Sequence, residues 1–185
     1  MDDSSRFSST ICEDILKWKY KDLTQVPDVI WASPPCTTYS IAATWYKHRD
    51  PYTGTPWTDD AILADCILRR TIRIIRHFLK LNPALKFCIE NPRGYMRVKE
   101  ELDWIPYRTT TSYNQYGFPI AKPTDFWTNF PLTLKPVKRG GIAIGGSAGW
   151  RAELRRRSPG RHTDQATILG RVPHPLVRSI LMQAQ

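Results

Sequence analysis

Two short apolar runs, each stopped by prolines and separated by one long amphipathic segment, constrain this chain more than any other feature. Asp28-Val29-Ile30-Trp31-Ala32 is β-prone and ends at Ser33-Pro34-Pro35; Phe87-Cys88-Ile89 is the second run and is stopped by Glu90-Asn91-Pro92. Between them Thr58 can cap a helix from Asp59 to about Leu81, which Asn82-Pro83 ends. Leu63, Ile67, Ile74, Phe78 and Leu81 fall at helical spacing, while Arg69, Arg73, Arg76 and Lys80 line another face. Strand, loop, helix, strand is the order of a βαβ unit in a parallel sheet, so the first run is expected to be a buried strand. Ligands of open α/β sheets sit beyond the carboxyl ends of the strands. Cys36 and Glu90 are therefore expected on one edge of the sheet, near each other.

The rest of the chain is less regular. Thr10-Ile11-Cys12-Glu13-Asp14-Ile15-Leu16 suggests an earlier βα or loop–β step. Residues 42–58 carry Pro51, Gly54 and Pro56 and read as a long loop. Residues 108–112 form a candidate strand, the glycine-rich stretch 138–160 a mobile loop, and 175–182 a terminal helix. At 185 residues one domain is expected, and 41% hydrophobic with 11% aromatic residues excludes a wholly disordered chain. No apolar run approaches the roughly 18 residues of a membrane span. The start, Met1-Asp2-Asp3-Ser4-Ser5, is acidic and polar, unlike a signal peptide. Cys12, Cys36, Cys66 and Cys88 show no CxxC spacing and read as reduced thiols, with no metal site. A cytoplasmic location is expected.

The net charge of +10 is unevenly placed. Residues 135–161 hold eight Lys and Arg, among them Arg155, Arg156 and Arg157, against Glu153 alone, a net of +7. Residues 162–185 add +1, which leaves only +2 on residues 1–134. A basic end on a near-neutral body points to a polyanionic partner. Three parts are expected: a core over 1–134, a basic, flexible segment over 135–161 that contacts the polyanion, and a closing segment over 162–185 that packs back on the core.

A thiol on a rigid turn at a strand end suits an attacking thiolate. A carboxyl facing the same crevice can bind and protonate an amidine-like ring edge. Ser33-Pro34-Pro35-Cys36-Thr37-Thr38-Tyr39-Ser40 followed by Glu90-Asn91-Pro92-Arg93 resembles the DNA cytosine-5 methyltransferase family in its phage and giant-virus form. Tyr113-Asn114-Gln115-Tyr116-Gly117 and Lys122-Pro123-Thr124-Asp125-Phe126-Trp127-Thr128-Asn129 resemble the segment that such members carry next. Gly170-Arg171-Val172-Pro173-His174 resembles the closing motif, with Arg171 where Asn is usual.

The resemblance implies an α/β, Rossmann-like methyltransferase fold, a mostly parallel sheet with flanking helices. It implies S-adenosylmethionine as cofactor and DNA as partner. Cys36 would be the nucleophile and Glu90 the residue at ring N3. Pro34 and Pro35 would shape the loop, Ser40 would contact a phosphate, and Asn91, Arg93 and Lys122 would lie at the base or backbone. Asp14, Ile15 and Val172 would border the cofactor.

The family's first strand and its Phe-x-Gly-x-Gly turn have no counterpart here, and no glycine precedes Asp14. Asp2 or Asp3 could stand in for the ribose acid, or Ile142-Ala143-Ile144-Gly145-Gly146 for a permuted turn. A second polypeptide or a homodimer could cover the missing sheet edge. Two function classes follow: a methyltransferase or one subunit of a split one, and a DNA-binding remnant that grips through 135–161 and the Arg69, Arg73, Arg76 face. An adenine-N6 methyltransferase is a third reading that Cys36 with Glu90-Asn91 disfavours.

Overall fold

The computed structural model describes residues 11–41, 47–118, 120–137, 142–143 and 171–185. Within these the chain forms β1 (Val29–Ala32), α1 (Asp59–Leu81), β2 (Lys86–Pro92), β3 (Tyr107–Ser112), β4 (Ile120–Ala121), β5 (Pro123–Thr128), β6 (Ile142–Ala143) and α2 (His174–Gln183), with short 3-10 turns between. The main sheet has the order β1-β2-β5-β3, and β4 and β6 form a separate parallel pair.

The βαβ unit forms as its pattern requires. The Thr58 hydroxyl accepts from Ala61 N at 3.3 Å and caps α1, while Asp59 and Asp60 sit in the positive first turn. The helix returns to start β2, which pairs in parallel with β1, Ala32 opposite Ile89. Cys36 and Glu90 thus leave the same edge of the sheet.

The sheet is mixed rather than mostly parallel. β5 pairs antiparallel with both β2 and β3, so β1, β2 and β3 share a direction with β5 running against them. Pro123 and the buried Asp125 hide β5 in the sequence. The carboxylate survives in a strand interior because Arg97 grips it through Nε and Nη2 and the Thr110 hydroxyl donates to it at 2.6 Å. β5 also lengthens β2: Glu90, Asn91 and Pro92 pair with Phe126, Asp125 and Thr124, so Glu90 lies inside the strand and not in a loop after it.

Two further expectations fail. β1 is half-exposed, because among the described residues it is an edge strand. Residues 11–16 hold no strand or helix; a turn spans 15–17, with the Asp14 carbonyl accepting from Lys17 and Trp18. The basic segment, including Arg155, Arg156 and Arg157, lies outside the described residues apart from 135–137 and 142–143, as do Asp2 and Asp3. No helix among the described residues is long and apolar enough to cross a membrane.

Alternation along the strands splits the core. Phe87, Ile89 and Trp127 face α1 with Leu68, Ile75 and Phe78. Cys88 and Phe126 face the other way, onto Tyr113, Phe130, Leu176 and Ile180, where α2 packs.

Candidate functional site

The turn after β1 is held from several sides. Tyr39 N and Ser40 N donate to the Cys36 carbonyl at 3.1 and 3.0 Å, which closes the loop on itself. Thr38 and Tyr39 are buried and tied to α1 by a charged cluster. Arg49 Nε donates to the Thr38 carbonyl at 3.0 Å, and Arg49 Nη2 donates to the Thr38 hydroxyl at 3.1 Å and pairs with Asp65 Oδ1 at 2.8 Å. The Tyr39 hydroxyl donates to the same carboxylate at 2.6 Å, and Lys99 Nζ reaches its other oxygen at 2.7 Å. Burial alone would raise the Asp65 carboxyl; hydrogen bonds from Arg49, Lys99 and Tyr39 together hold it below the usual carboxylate range.

The loop after β2 docks directly on this turn. Tyr95 N donates to the Tyr39 carbonyl at 2.8 Å, and Ser40 bridges Gly94. A Cβ on Gly94 would stand 2.0 Å from the Tyr39 carbonyl oxygen, so only glycine permits this approach. Asn91 Nδ2 donates to the Pro34 carbonyl at 2.9 Å, a second tie between the two loops.

Glu90 is 4% exposed, on the α2 face of the sheet. The hydroxyl of the fully buried Tyr113 donates to Glu90 Oε1 at 2.7 Å. The buried Lys122 ammonium lies 4.8 Å from the Tyr113 ring centroid. Cys36 feels both charged groups. Its thiol, expected to be exposed, is half-buried, and burial pushes it above the ordinary thiol value. Lys122 pulls it back down and the Glu90 charge pushes it up. Cys36, Glu90, Lys122 and Tyr113 therefore share one electrostatic site. Cys88, two residues before Glu90, is buried and pushed up by desolvation and then by Glu90.

The other sequence-derived residues scatter around this site. Pro34 is buried and Pro35 exposed, Ser40 is half-buried, and Arg93 is exposed with its N–H donating to the Pro123 carbonyl at 2.9 Å. Ile15 lines a cavity of about 390 Å³ along β1 with Trp18, Trp31, Pro34 and Pro35. Asp14 is exposed and accepts from Leu16 N at 2.9 Å. Val172 packs with the core on the α2 face, the face opposite the one Ile15 joins. The sequence marks Tyr113 only as part of the Tyr113–Gly117 segment, with no role of its own, and does not single out Arg49, Asp65 or Lys99. A lone Tyr in a turn and charges in three separate segments carry no spacing signal; only the fold brings them together.

A thiol and a carboxyl over adjacent parallel strand ends, with an ammonium acting on the thiol, make a site suited to covalent nucleophilic attack on a nitrogen-containing ring. No family model matches the chain. It is similar to a probable DNA (cytosine-5)-methyltransferase of Frog virus 3 (isolate Goorha), 34% identical over 121 residues, which cover 63% of this chain and 53% of that protein. The chain spans about half the length of the relative it matches.

Proposed function

We propose that this chain carries the base-handling half of a DNA (cytosine-5)-methyltransferase. The observation that supports this most is the shared site of Cys36, Glu90, Lys122 and Tyr113 at the carboxyl ends of β1 and β2. The target base must first leave the stack.

Cys36 Sγ, as thiolate, adds to cytosine C6. The C5–C6 π electrons move into the ring, and Glu90 meets the charge by giving a proton to N3. Because Tyr113 donates to Oε1, a proton on the Glu90 carboxyl sits on Oε2, which is then the oxygen that faces N3. Oε1 stays an acceptor, for the exocyclic amine as well as for Tyr113. A protonated Glu90 also stops opposing the Cys36 thiolate, so one protonation state serves both residues. C5, now electron-rich, takes a methyl group; water then removes the C5 proton, the C5–C6 double bond re-forms as Sγ leaves from C6 as thiolate, and N3 returns its proton to Glu90.

Bound S-adenosylmethionine would supply that methyl as an electrophile. The cavity beside β1 fits a flat apolar ring between Ile15, Trp18 and Pro34, next to the nucleophile loop. No carboxylate lines that cavity among the described residues, so the polar part of the cofactor has no holder there. The free edge of β1 suits a further strand, from this chain or from a second polypeptide, that would complete the donor side.

Incubation with S-adenosylmethionine and duplex DNA carrying 5-fluorocytosine tests the reading. A covalent adduct is expected, because the C5 fluorine cannot leave as a proton does. Cys36→Ala is expected to form none while still binding DNA. No adduct with wild-type protein would favour the second reading, a DNA-binding remnant.

A further inference from the structure

A second concave surface, of about 510 Å³, lies on the outer flank of α1. Lys21, Arg69, Arg73, Arg76 and Lys80 line it against one acid, Glu101. Five cations with one carboxylate stand out on a body whose first 134 residues carry only +2. Two of the cations are held in place. Arg76 lies over the Trp104 ring, 4.7 Å from its centroid, which fixes the guanidinium and leaves its charge intact. Arg69 alone pairs with Glu101, at 3.3 Å and half-exposed, a weak tie. Arg73, Arg76 and Lys80 are exposed.

The geometry is that of a row. Positions 69, 73, 76 and 80 fall within one narrow sector of the helix, spaced by four, three and four residues, and span about 16 Å along the axis at about 1.5 Å per residue. Ile67, Thr71 and Ile74, which line the cavity beside β1, fall on roughly the opposite flank. The row occupies the second half of α1. That half runs away from the Cys36 edge and ends where Asn82 Nδ2 donates to the Pro27 carbonyl at 3.3 Å, before β1 begins.

We propose that this flank is a second DNA contact, which takes the phosphate backbone of duplex lying away from the reacting base. A straight row of guanidinium forks and an ammonium matches a polymer of evenly spaced phosphates, and planar guanidinium suits phosphate oxygens in pairs. The contact is independent of sequence and goes beyond the chemistry at Cys36.

The test uses the full chain and a duplex of about 30 base pairs of arbitrary sequence, with binding followed by fluorescence anisotropy across a salt series. Arg73→Gln with Lys80→Gln is expected to weaken binding about 5- to 20-fold near 0.1 M salt and to reduce the log–log salt slope by about 2, with an unchanged thermal midpoint. Lys17→Gln with Arg108→Gln removes the same charge from exposed positions elsewhere and is expected to change the slope by less than 1. Equal slopes for wild type and the groove variant would overturn the proposal. So would an equal loss in the control pair, failure of the wild type to bind duplex, or competition by poly-glutamate as strong, per charge, as by DNA. Groove-dependent binding without an adduct at Cys36 would leave this inference standing and remove the proposed methyl transfer.

Discussion

The two sides of β2 are built differently. Toward β5 and β3 two carboxyl groups are buried and partnered, Glu90 by Tyr113 and Asp125 by Arg97 and Thr110, while Asn91 Oδ1 and Ser112 Oγ are buried with no hydrogen-bond partner among the described residues. Toward β1 the strand is half-exposed, and the adjoining cavity is lined mainly by apolar side chains. A buried carboxylate persists only where hydrogen bonds replace its water. The β5 side therefore has the preorganisation that charge development on a base demands. Among the described residues the cavity on the β1 side is lined mainly by apolar side chains and by no carboxylate. On the proposed reading, the described residues supply the side that would handle the base.

That contrast is open to attack in order of effect. The largest expected loss is at Glu90. Glu90→Gln is expected to slow adduct formation roughly 100- to 10,000-fold, as for removal of a general acid. Rapid quenching followed by mass spectrometry of the Cys36 peptide measures it. Tyr113→Phe keeps the ring and removes the hydroxyl, and is expected to cost about 10- to 100-fold, the worth of a hydrogen bond to a charged group. The loss should fall on the rate constant and not on the DNA concentration for half-saturation. In a Glu90→Ala background the same change should cost less than about twofold, because the acceptor is gone.

Alkylation of Cys36 by iodoacetamide gives a smaller, signed effect. Burial holds the thiol above its ordinary value, so the rate is expected to rise with pH through neutrality as thiolate accumulates. At fixed pH, Lys122→Met should slow alkylation several-fold and Glu90→Gln should speed it, since the first charge pulls the thiol down and the second pushes it up. Changes of the same sign in both variants would break the shared electrostatic site. The smallest effect belongs to the β1 side. Ile15→Ala removes apolar surface from the cavity and is expected to weaken cofactor binding about three- to tenfold by calorimetry, with DNA affinity unchanged.

The placement of Cys36 and Glu90 toward one edge of the sheet was legible in the sequence, because both sit next to strong punctuation. Pro34-Pro35 before Cys36 and Pro92 after Glu90 mark strand ends, and Thr58 with Asn82-Pro83 bounds the helix that makes the two strands parallel neighbours. The rest was hidden for identifiable reasons. β5 contains an Asp and begins with Pro, so its alternation reads as a loop until Arg97 is placed beside it. Arg49, Asp65 and Lys99 lie 16 and 34 residues apart in sequence and meet only through the fold. Tyr113 has no chemistry of its own in a linear reading; its role exists only because β3, β5 and β2 bring its hydroxyl to Glu90. β1 was expected to be buried because its residues are apolar, but burial depends on a neighbour on each side, and the described residues supply one.

The central claim is that the base-handling side works without the donor side. Addition of Cys36 to C6 makes C5 basic enough to take a proton from water; loss of the original hydrogen and of Sγ then returns a cytosine labelled by the solvent. The direct measurement is exchange of the cytosine C5 hydrogen in duplex DNA with heavy water, followed by mass spectrometry with no cofactor present. Exchange is expected with wild-type protein, none with Cys36→Ala, and a rate at least 100-fold lower with Glu90→Gln. DNA bound by the wild type with no C5 exchange above the Cys36→Ala background would contradict the account.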